Sequence, residues 1–344
     1  MKYSPLGRTG LQVSRVCLGT MTWGQQNSQA EGFEQMDYAL TRGINFFDTA
    51  ELYSIPPKAE TQGSTETIIG NWFAQSGKRH DVILATKMAG RSDAMTWFRG
   101  GSRQNKAHIE AAVDASLARL QTDYIDLYQL HWPDRRIQAF GAHTYSDYDN
   151  DYESFHAILE NLDSQVKAGK IRHIGVSNES AYGVMKFLHE AEVHGLPRLA
   201  SIQNVYSLVS RHFDNGLAEI AMREDVGLLA YSPLAQGYLT GKYRGGALPA
   251  GARKTLFDRA QRYEGPGGVE MIDKYLDLAQ RLGVAPEVLA LKFVDTRMFV
   301  TSTIIGATTM AQLKTDIDAF DTVWTEDMEA GVRDLHLSHP SPCP

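Results

Sequence analysis

Eight short apolar runs, each separated from the next by a stretch of helical periodicity, constrain this chain more than any other feature. They are VCLG near residue 17, INFFDT near 46, DVILATK near 84, IDLYQLH near 128, HIGVSN near 175, ASIQNVYS near 203, GLLAYSPL near 229 and TIIGATT near 304. Runs that are apolar on both faces belong to parallel strands covered by helices, and strand–helix alternation builds βα units. Eight such units predict a closed (β/α)8 TIM barrel of the α/β class rather than an open sheet. Barrels of this kind exceed the usual length of one domain, and no linker, low-complexity stretch or repeat interrupts the sequence. A single domain over 1–344 is therefore expected.

The connecting segments supply the helices. Between 106 and 120, Ile109, Val113, Leu117 and Leu120 fall on one helical face, and the segments after 64, 153, 180, 215 and 309 repeat the pattern with more noise. Residues 1 to 13 carry Gly7, Arg8, Thr9 and Gly10 between β-compatible pieces, which predicts an N-terminal β-hairpin that plugs or caps the fold. About 75 residues separate the seventh and eighth runs. They hold a Gly/Pro-rich loop (Gly245, Gly246, Pro249, Gly251, Gly265, Pro266, Gly267, Gly268) and two helical segments near 270 to 282 and 286 to 296, so extra helices are expected there. A further helix over 325 to 336 covers the outside of the barrel. The irregular stretches 88–104 and 132–151 follow strand ends, where barrel enzymes carry substrate-contacting loops.

Composition enters mainly by what it excludes. With 43% hydrophobic and 22% charged residues the chain can bury a large core, and its net charge of -7 argues against a nucleic-acid partner held by phosphate contacts. Two cysteines, Cys17 and Cys343, cannot build a disulfide framework. The N-terminus lacks the apolar core of a signal peptide, and no run approaches the ~20 apolar residues of a membrane span. A cytoplasmic protein without a membrane partner is expected, and assembly into a homo-oligomer stays open.

The stretch INFFDTAELY carries the first chemistry. It packs Ile44, Phe46 and Phe47, then delivers Asp48 and Tyr53 just beyond a strand end. The next two runs end in Lys87 and His131. Neighbouring strands of a parallel barrel bring such groups to one spot at its carboxyl end. A lysine closing an apolar run needs a counter-charge, and Asp48 is the nearest carboxylate. A cation beside Tyr53 favours phenolate and lowers the phenol's pKa, which suits a general acid and base, while His131 can orient or relay. Singly each residue has an ordinary reading as helix cap, loop aromatic, surface charge or satisfied histidine. Four reactive types at the ends of three successive strands are harder to assign to packing.

That spacing, Asp-x4-Tyr followed by a strand-end Lys and a strand-end His, resembles the aldo-keto reductase superfamily. So do GRTGLQVSRVCLGTMTWG, GINFFDTAELY, LQTDYIDLYQLHWPD, GKIRHIGVSN, IQNVYSL, LLAYSPLAQGYLTGKY and IIGATTMAQLKTD, which together span nearly the whole chain. The string IPPKAETQGSTETIIGNW is similar to the bacterial Tas-type branch, and the family shares its barrel with potassium-channel β subunits. The resemblance implies NADP(H)-dependent reduction of an aldehyde or ketone, with Asp48, Tyr53, Lys87 and His131 as the catalytic tetrad. It further implies that Gly19, Thr20 and Met21 line the cofactor, and that Ser177, Asn178 and Gln203 hydrogen-bond the nicotinamide amide. Tyr231 would stack on its ring. Ser232, Leu234, Gly237 and Lys242 would hold the pyrophosphate with Arg253 nearby, and Gly306, Thr308, Gln312 and Asp316 would meet the adenosine end. No GxGxxG follows a strand, as expected of a family that binds its dinucleotide across the barrel mouth.

Several of these positions have independent physical sense and independent alternatives. Tyr231 can stack on a planar ring, and Lys242 can neutralise phosphate; yet Thr309 and Gln312 form a T-x-x-Q capping box, so Gln312 has a purely structural reading. Where related sequences have Glu and Asn, this one has Thr315 and Asp316. An acid there weakens the case for a 2′-phosphate, with Lys314, Arg253 or Lys254 as compensating charges. NADP(H) is favoured over NAD(H). The aromatic residues Trp23, Tyr128, Trp132, Trp97 and Phe98 are read as loop residues that either wall a carbonyl pocket around Tyr53 or serve as ordinary packing. Two rivals remain: a cofactor-sensing regulatory or accessory subunit with slow turnover, and a Schiff-base lyase using Lys87 as nucleophile, which would need a neutral lysine. A metal-dependent hydrolase is disfavoured, since the strand ends supply one histidine.

Overall fold

The computed structural model describes residues 1–344 except His143, Ser146, Asp147, Arg259, Ala260 and Pro266, together with all but the side chain of Gln261. Pro266 of the Gly/Pro-rich loop thus lies outside the described residues. Ten strands are described: β1 (Tyr3–Pro5), β2 (Gln12–Ser14), β3 (Val16–Gly19), β4 (Phe46–Asp48), β5 (Ile83–Met88), β6 (Ile125–Leu130), β7 (Ile171–Ser177), β8 (Leu199–Val205), β9 (Gly227–Tyr231) and β10 (Val300–Ile305). The last eight are the eight apolar runs. They close into a parallel barrel in chain order, with β10 pairing back onto β3.

The described helices are α1 (Gln29–Thr41), α2 (Ser64–Ser76), α3 (Lys106–Leu120), α4 (Phe155–Lys167), α5 (Ala181–His194), α6 (Leu217–Glu224), α7 (Arg253–Phe257), α8 (Gly268–Arg281), α9 (Pro286–Asp295), α10 (Met310–Asp318) and α11 (Glu326–Ser338). Local chemistry sets their starts. Ser28 and Glu31 form a reciprocal capping box on α1, and Asn105, Ser154 and Ser180 each accept a backbone N–H at the head of α3, α4 and α5. Helices α8 and α9 are the insertion before the eighth barrel strand. The short α7 precedes them and had no periodicity by which to be found. Among the described residues no helix is long and apolar enough to cross a membrane.

The barrel interior is layered. Antiparallel β1 and β2 form the hairpin, and Leu6 and Val13 pack with Cys17, Phe46, Ala85, Leu127, Ala200, Leu229 and Ile304. The hairpin is therefore a plug at the amino ends of the strands. Because side chains alternate along a strand, the residues two places on from Phe46, Ala85 and Leu127 point the same way, and they are Asp48, Lys87 and Gln129. A polar layer thus follows directly on the apolar one. Register aligns it: Asp48 pairs with Gly19 and Ala85, and Lys87 pairs with Gln129.

Candidate active site

The polar layer is hydrogen-bonded throughout. Lys87 Nζ donates to Asp48 Oδ2 at 2.6 Å, to the Thr49 carbonyl at 2.7 Å and to Tyr53 Oη at 3.3 Å. The second oxygen of Asp48 accepts from Gln203 Nε2 at 2.8 Å and from Gln129 Nε2 at 3.2 Å. Both the lysine and the carboxylate are buried, so each charge depends on these partners. Beyond Asp48 the chain keeps bonding to β5, through Thr49 N–H to the Ala85 carbonyl and Glu51 N–H to the Lys87 carbonyl, before a turn from Ala50 brings Tyr53 back over Lys87. The Tyr53 and His131 rings meet edge to face with centroids 5.6 Å apart. Asp48, Tyr53, Lys87 and His131 therefore converge on one spot.

Charge states follow from the surroundings. Burial works against the Lys87 ammonium, but Asp48 and Tyr53 together overcome it and hold its pKa above the ordinary value. Burial also pushes the Tyr53 phenol up, and the opposing pull of Lys87 does not cancel it. The expected lowering by Lys87 is thus present but outweighed, because a phenolate loses more on leaving water than one cation, already paired to Asp48, returns. Burial, assisted by Lys87, pushes His131 well below its usual value, so the imidazole is neutral at neutral pH. Its Nδ1 is buried with no hydrogen-bond partner among the described residues.

Two of the groups in this layer were not assigned from sequence. Gln129 was legible as the inward residue between Leu127 and His131 on β6. Glu51 sits inside INFFDTAELY and is fully buried; it receives both ends of the Arg99 guanidinium, at 2.8 and 2.9 Å, and the Ala89 N–H at 2.8 Å. This fork ties the loop after β5 to the turn that carries Tyr53. Through it Phe98 is buried against Ala50, Leu52 and Tyr53, with Met21 and Trp132 at the edge of the same cluster. The loops after β5 and β6 are laced together by Arg103 with Asp134, Arg91 with Asp151, and the Trp132 indole donating to the Arg91 carbonyl.

The aromatic wall differs from the expected one. Trp132 stands beside His131, ring centroids 5.1 Å apart, and Phe98 beside Tyr53. Trp23 does not join them: it is fully buried under α1, touching Gly32 and donating to Gln35. Tyr128 is not a loop residue but lies on β6 facing the helix layer, opposite in alternation to Gln129. Trp97 is exposed at the rim next to Phe98.

The remaining candidates lie at the end of β3, at the strand ends from β7 to β10 and on α7 and α10. Gln203 is engaged with Asp48, as above, and Ser177 Oγ donates to the Gln203 carbonyl at 2.7 Å. Asn178 donates to the His131 carbonyl at 2.8 Å and accepts from Tyr231 Oη at 2.6 Å, so the Tyr231 ring is tethered to the histidine. Thr20 Oγ1 donates to the Asp48 carbonyl at 2.9 Å. Gly19 has a packing reason, since a Cβ there would lie 2.8 Å from the Ile305 carbonyl oxygen. After β9 the chain turns through Ser232 and the half-buried Leu234 to Gly237, where φ is +100° and a Cβ would fall 2.6 Å from Lys242 Nζ. The positive φ favours glycine there.

Around Lys242 the electrostatics are uneven. Burial and the neighbouring Arg253 push its pKa down, opposed by Asp316. Asp316, buried near Glu287, is pushed up to about 7. Of the compensating charges, Lys254 is paired to Glu264 at 2.6 Å, Lys314 lies over the Tyr38 ring of α1, and Arg253 lies near Lys242. Gln312 Oε1 accepts from the Thr308 N–H and hydroxyl, both at 3.0 Å, and its own N–H donates to Thr309. Its capping reading is thus realised, one residue earlier than the box motif implies. Gly306 has space beside it, since a Cβ there would come no nearer than 3.7 Å to the Gly19 carbonyl oxygen.

Comparison with known proteins identifies the family of the chain. The Aldo/keto reductase family matches residues 15–335. The chain is 47% identical to Protein tas of Escherichia coli (strain K12), with 100% of both chains covered. It is 38% identical to the uncharacterized oxidoreductase YrpG of Bacillus subtilis (strain 168), over 93% of this chain and 91% of that one. A probable voltage-gated potassium channel subunit beta of Arabidopsis thaliana is 29% identical over 94% and 92%. The chain belongs to the aldo/keto reductase family and is an NAD(P)H-dependent oxidoreductase.

Proposed function

We propose that this protein reduces an aldehyde or ketone to the alcohol with NADPH, and that Tyr53 donates the proton. The observation that carries the reading is the Asp48–Lys87–Tyr53 chain of hydrogen bonds at 2.6 and 3.3 Å, with the neutral His131 ring against the phenol. The bound nicotinamide supplies the hydride. Tyr53, its pKa held up by burial, keeps its proton at neutral pH and can deliver it to a carbonyl oxygen. Lys87 then offsets the phenolate charge that remains, and Asp48, held by Gln129 and Gln203, keeps Lys87 aimed. His131 presents a ring nitrogen to the same oxygen and orients it. Phe98 and Trp132 exclude water from one side.

The residues fit the cofactor's phosphates. Lys242, made less basic by burial and by Arg253, gains from an anion, and Gly237 leaves room beside it. Asp316, pushed up to about 7, carries only part of a charge at neutral pH, which reduces its conflict with a 2′-phosphate. A Schiff-base role for Lys87 is disfavoured, because its ammonium is held charged by three hydrogen bonds. Titration with NADPH and NADH, followed by turnover of 4-nitrobenzaldehyde and methylglyoxal, tests the reading. NADPH should bind more tightly and both carbonyls should be consumed; equal reduction rates for wild type and Tyr53→Phe would remove Tyr53 as the acid.

A further inference from the structure

The helix layer holds a cluster that carbonyl reduction does not use. His156 lies in the first turn of α4, and Glu190 and His194 lie one turn apart on the neighbouring α5. Glu190 Oε2 is 3.4 Å from His156 Nδ1 and 3.3 Å from His194 Nε2. The two imidazole rings are edge to face with centroids 4.3 Å apart, and one candidate ligand atom from each of the three residues falls within 4.8 Å of the others. Although His156 Nδ1 faces the carboxylate, it is buried and makes no hydrogen bond among the described residues. The other nitrogen of that ring, Nε2, is 3.5 Å from Glu160 Oε1, one turn further along α4.

Two imidazole nitrogens and a carboxylate oxygen are the donor set of borderline divalent ions, zinc above all. Around an ion with bonds of about 2.0–2.1 Å, the edge of a ligand tetrahedron is about 3.3–3.4 Å long. The two distances from Glu190 match that edge. A ligating histidine ordinarily has its second ring nitrogen held by a carboxylate, and Glu160 stands where that partner belongs. Ion pairing alone explains the cluster less well. His156 Nδ1 faces Glu190 at 3.4 Å yet is buried without a hydrogen bond among the described residues.

We propose that His156, Glu190 and His194 bind one divalent transition-metal ion of the zinc type, with Glu160 orienting His156 and a fourth position open to water. The ion staples α4 to α5. Since α4 leads into β7 and α5 leaves it, the staple stiffens the frame of Ser177 and Asn178 without touching the reacting groups.

The test uses the full-length, tag-free protein, freed of metal by chelator and titrated with zinc chloride against a chromophoric competitor. One ion per chain, with a rise in melting temperature, is expected. His156→Ala and His194→Ala should each abolish both effects, and Glu160→Gln should weaken binding roughly 10- to 100-fold. Affinity should fall as pH is lowered, because protons compete with the ion for its ligands. All three variants should keep NADPH-dependent reduction, which shows that they fold. Wild type that takes up no zinc at micromolar concentration, or binds it no better than His194→Ala, overturns the proposal.

Discussion

The two sides of the barrel mouth follow opposite electrostatic plans. Toward β4, β5 and β6, charges come in matched pairs: Lys87 with Asp48, and Arg99 with Glu51. Toward β9 and β10, Lys242 stands beside Arg253 and makes no ion pair among the described residues, while Asp316 is held part-protonated. A site that must keep reacting atoms in one geometry is satisfied before its ligand arrives. One that must draw in an anion can hold a cation such as Lys242 ready for the ligand to complete. On the proposed function chemistry and affinity reside in different halves, and mutations should separate them.

The largest effect is expected at Tyr53. Tyr53→Phe removes the donor while keeping the ring against His131 and Phe98, so kcat for carbonyl reduction should fall about 10²- to 10⁴-fold with NADPH affinity little changed. Steady-state kinetics alongside a fluorescence titration of cofactor checks both halves of that statement. Next comes Lys87→Met, which strands the Asp48 carboxylate in the barrel; urea unfolding should show a loss of about 3–5 kcal/mol along with lost activity. Restoring neutrality with Asp48→Asn in the same chain should recover part of the stability and none of the rate.

Lys242→Ala probes the other half. It should weaken NADPH binding about 10- to 100-fold, the worth of a hydrogen bond to a charged group, with kcat at saturating cofactor held within a few-fold. Binding that ignores salt concentration would contradict the assignment. Asp316→Asn should act least on turnover, and on stability only above acidic pH. The Asp316 pKa is raised in the folded state, so its support for folding is complete below the unfolded value of about 4 and lost as pH rises through about 7. Melting curves of wild type and Asp316→Asn should coincide below about pH 4 and diverge progressively up to about pH 7, with wild type the less stable.

The same division explains what was legible in the sequence. All eight barrel strands could be read, because apolar runs and helical periodicity are local patterns, and so could the strand ends bearing Asp48, Lys87 and His131. Glu51 was missed although it lies between Asp48 and Tyr53, since its partner Arg99 comes from an irregular loop with no period. Trp23 and Tyr128 were assigned to the pocket on residue type alone. Alternation along β6 already turned Tyr128 away from Gln129 and His131, whereas nothing local to Trp23 revealed that Gly32 opens a space for it under α1. The sign of the Tyr53 shift depends on burial, a tertiary quantity, so a neighbouring cation read from sequence could not decide it.

The most direct test is a single-turnover experiment. Wild type, Tyr53→Phe and Lys242→Ala are each loaded with saturating NADPH, mixed with 4-nitrobenzaldehyde in a stopped-flow instrument, and followed by the loss of reduced-nicotinamide absorbance. The rate should collapse in Tyr53→Phe and stay near wild type in Lys242→Ala. Comparable losses in both variants, or a fast Tyr53→Phe, would contradict the separation of chemistry from affinity across the barrel mouth.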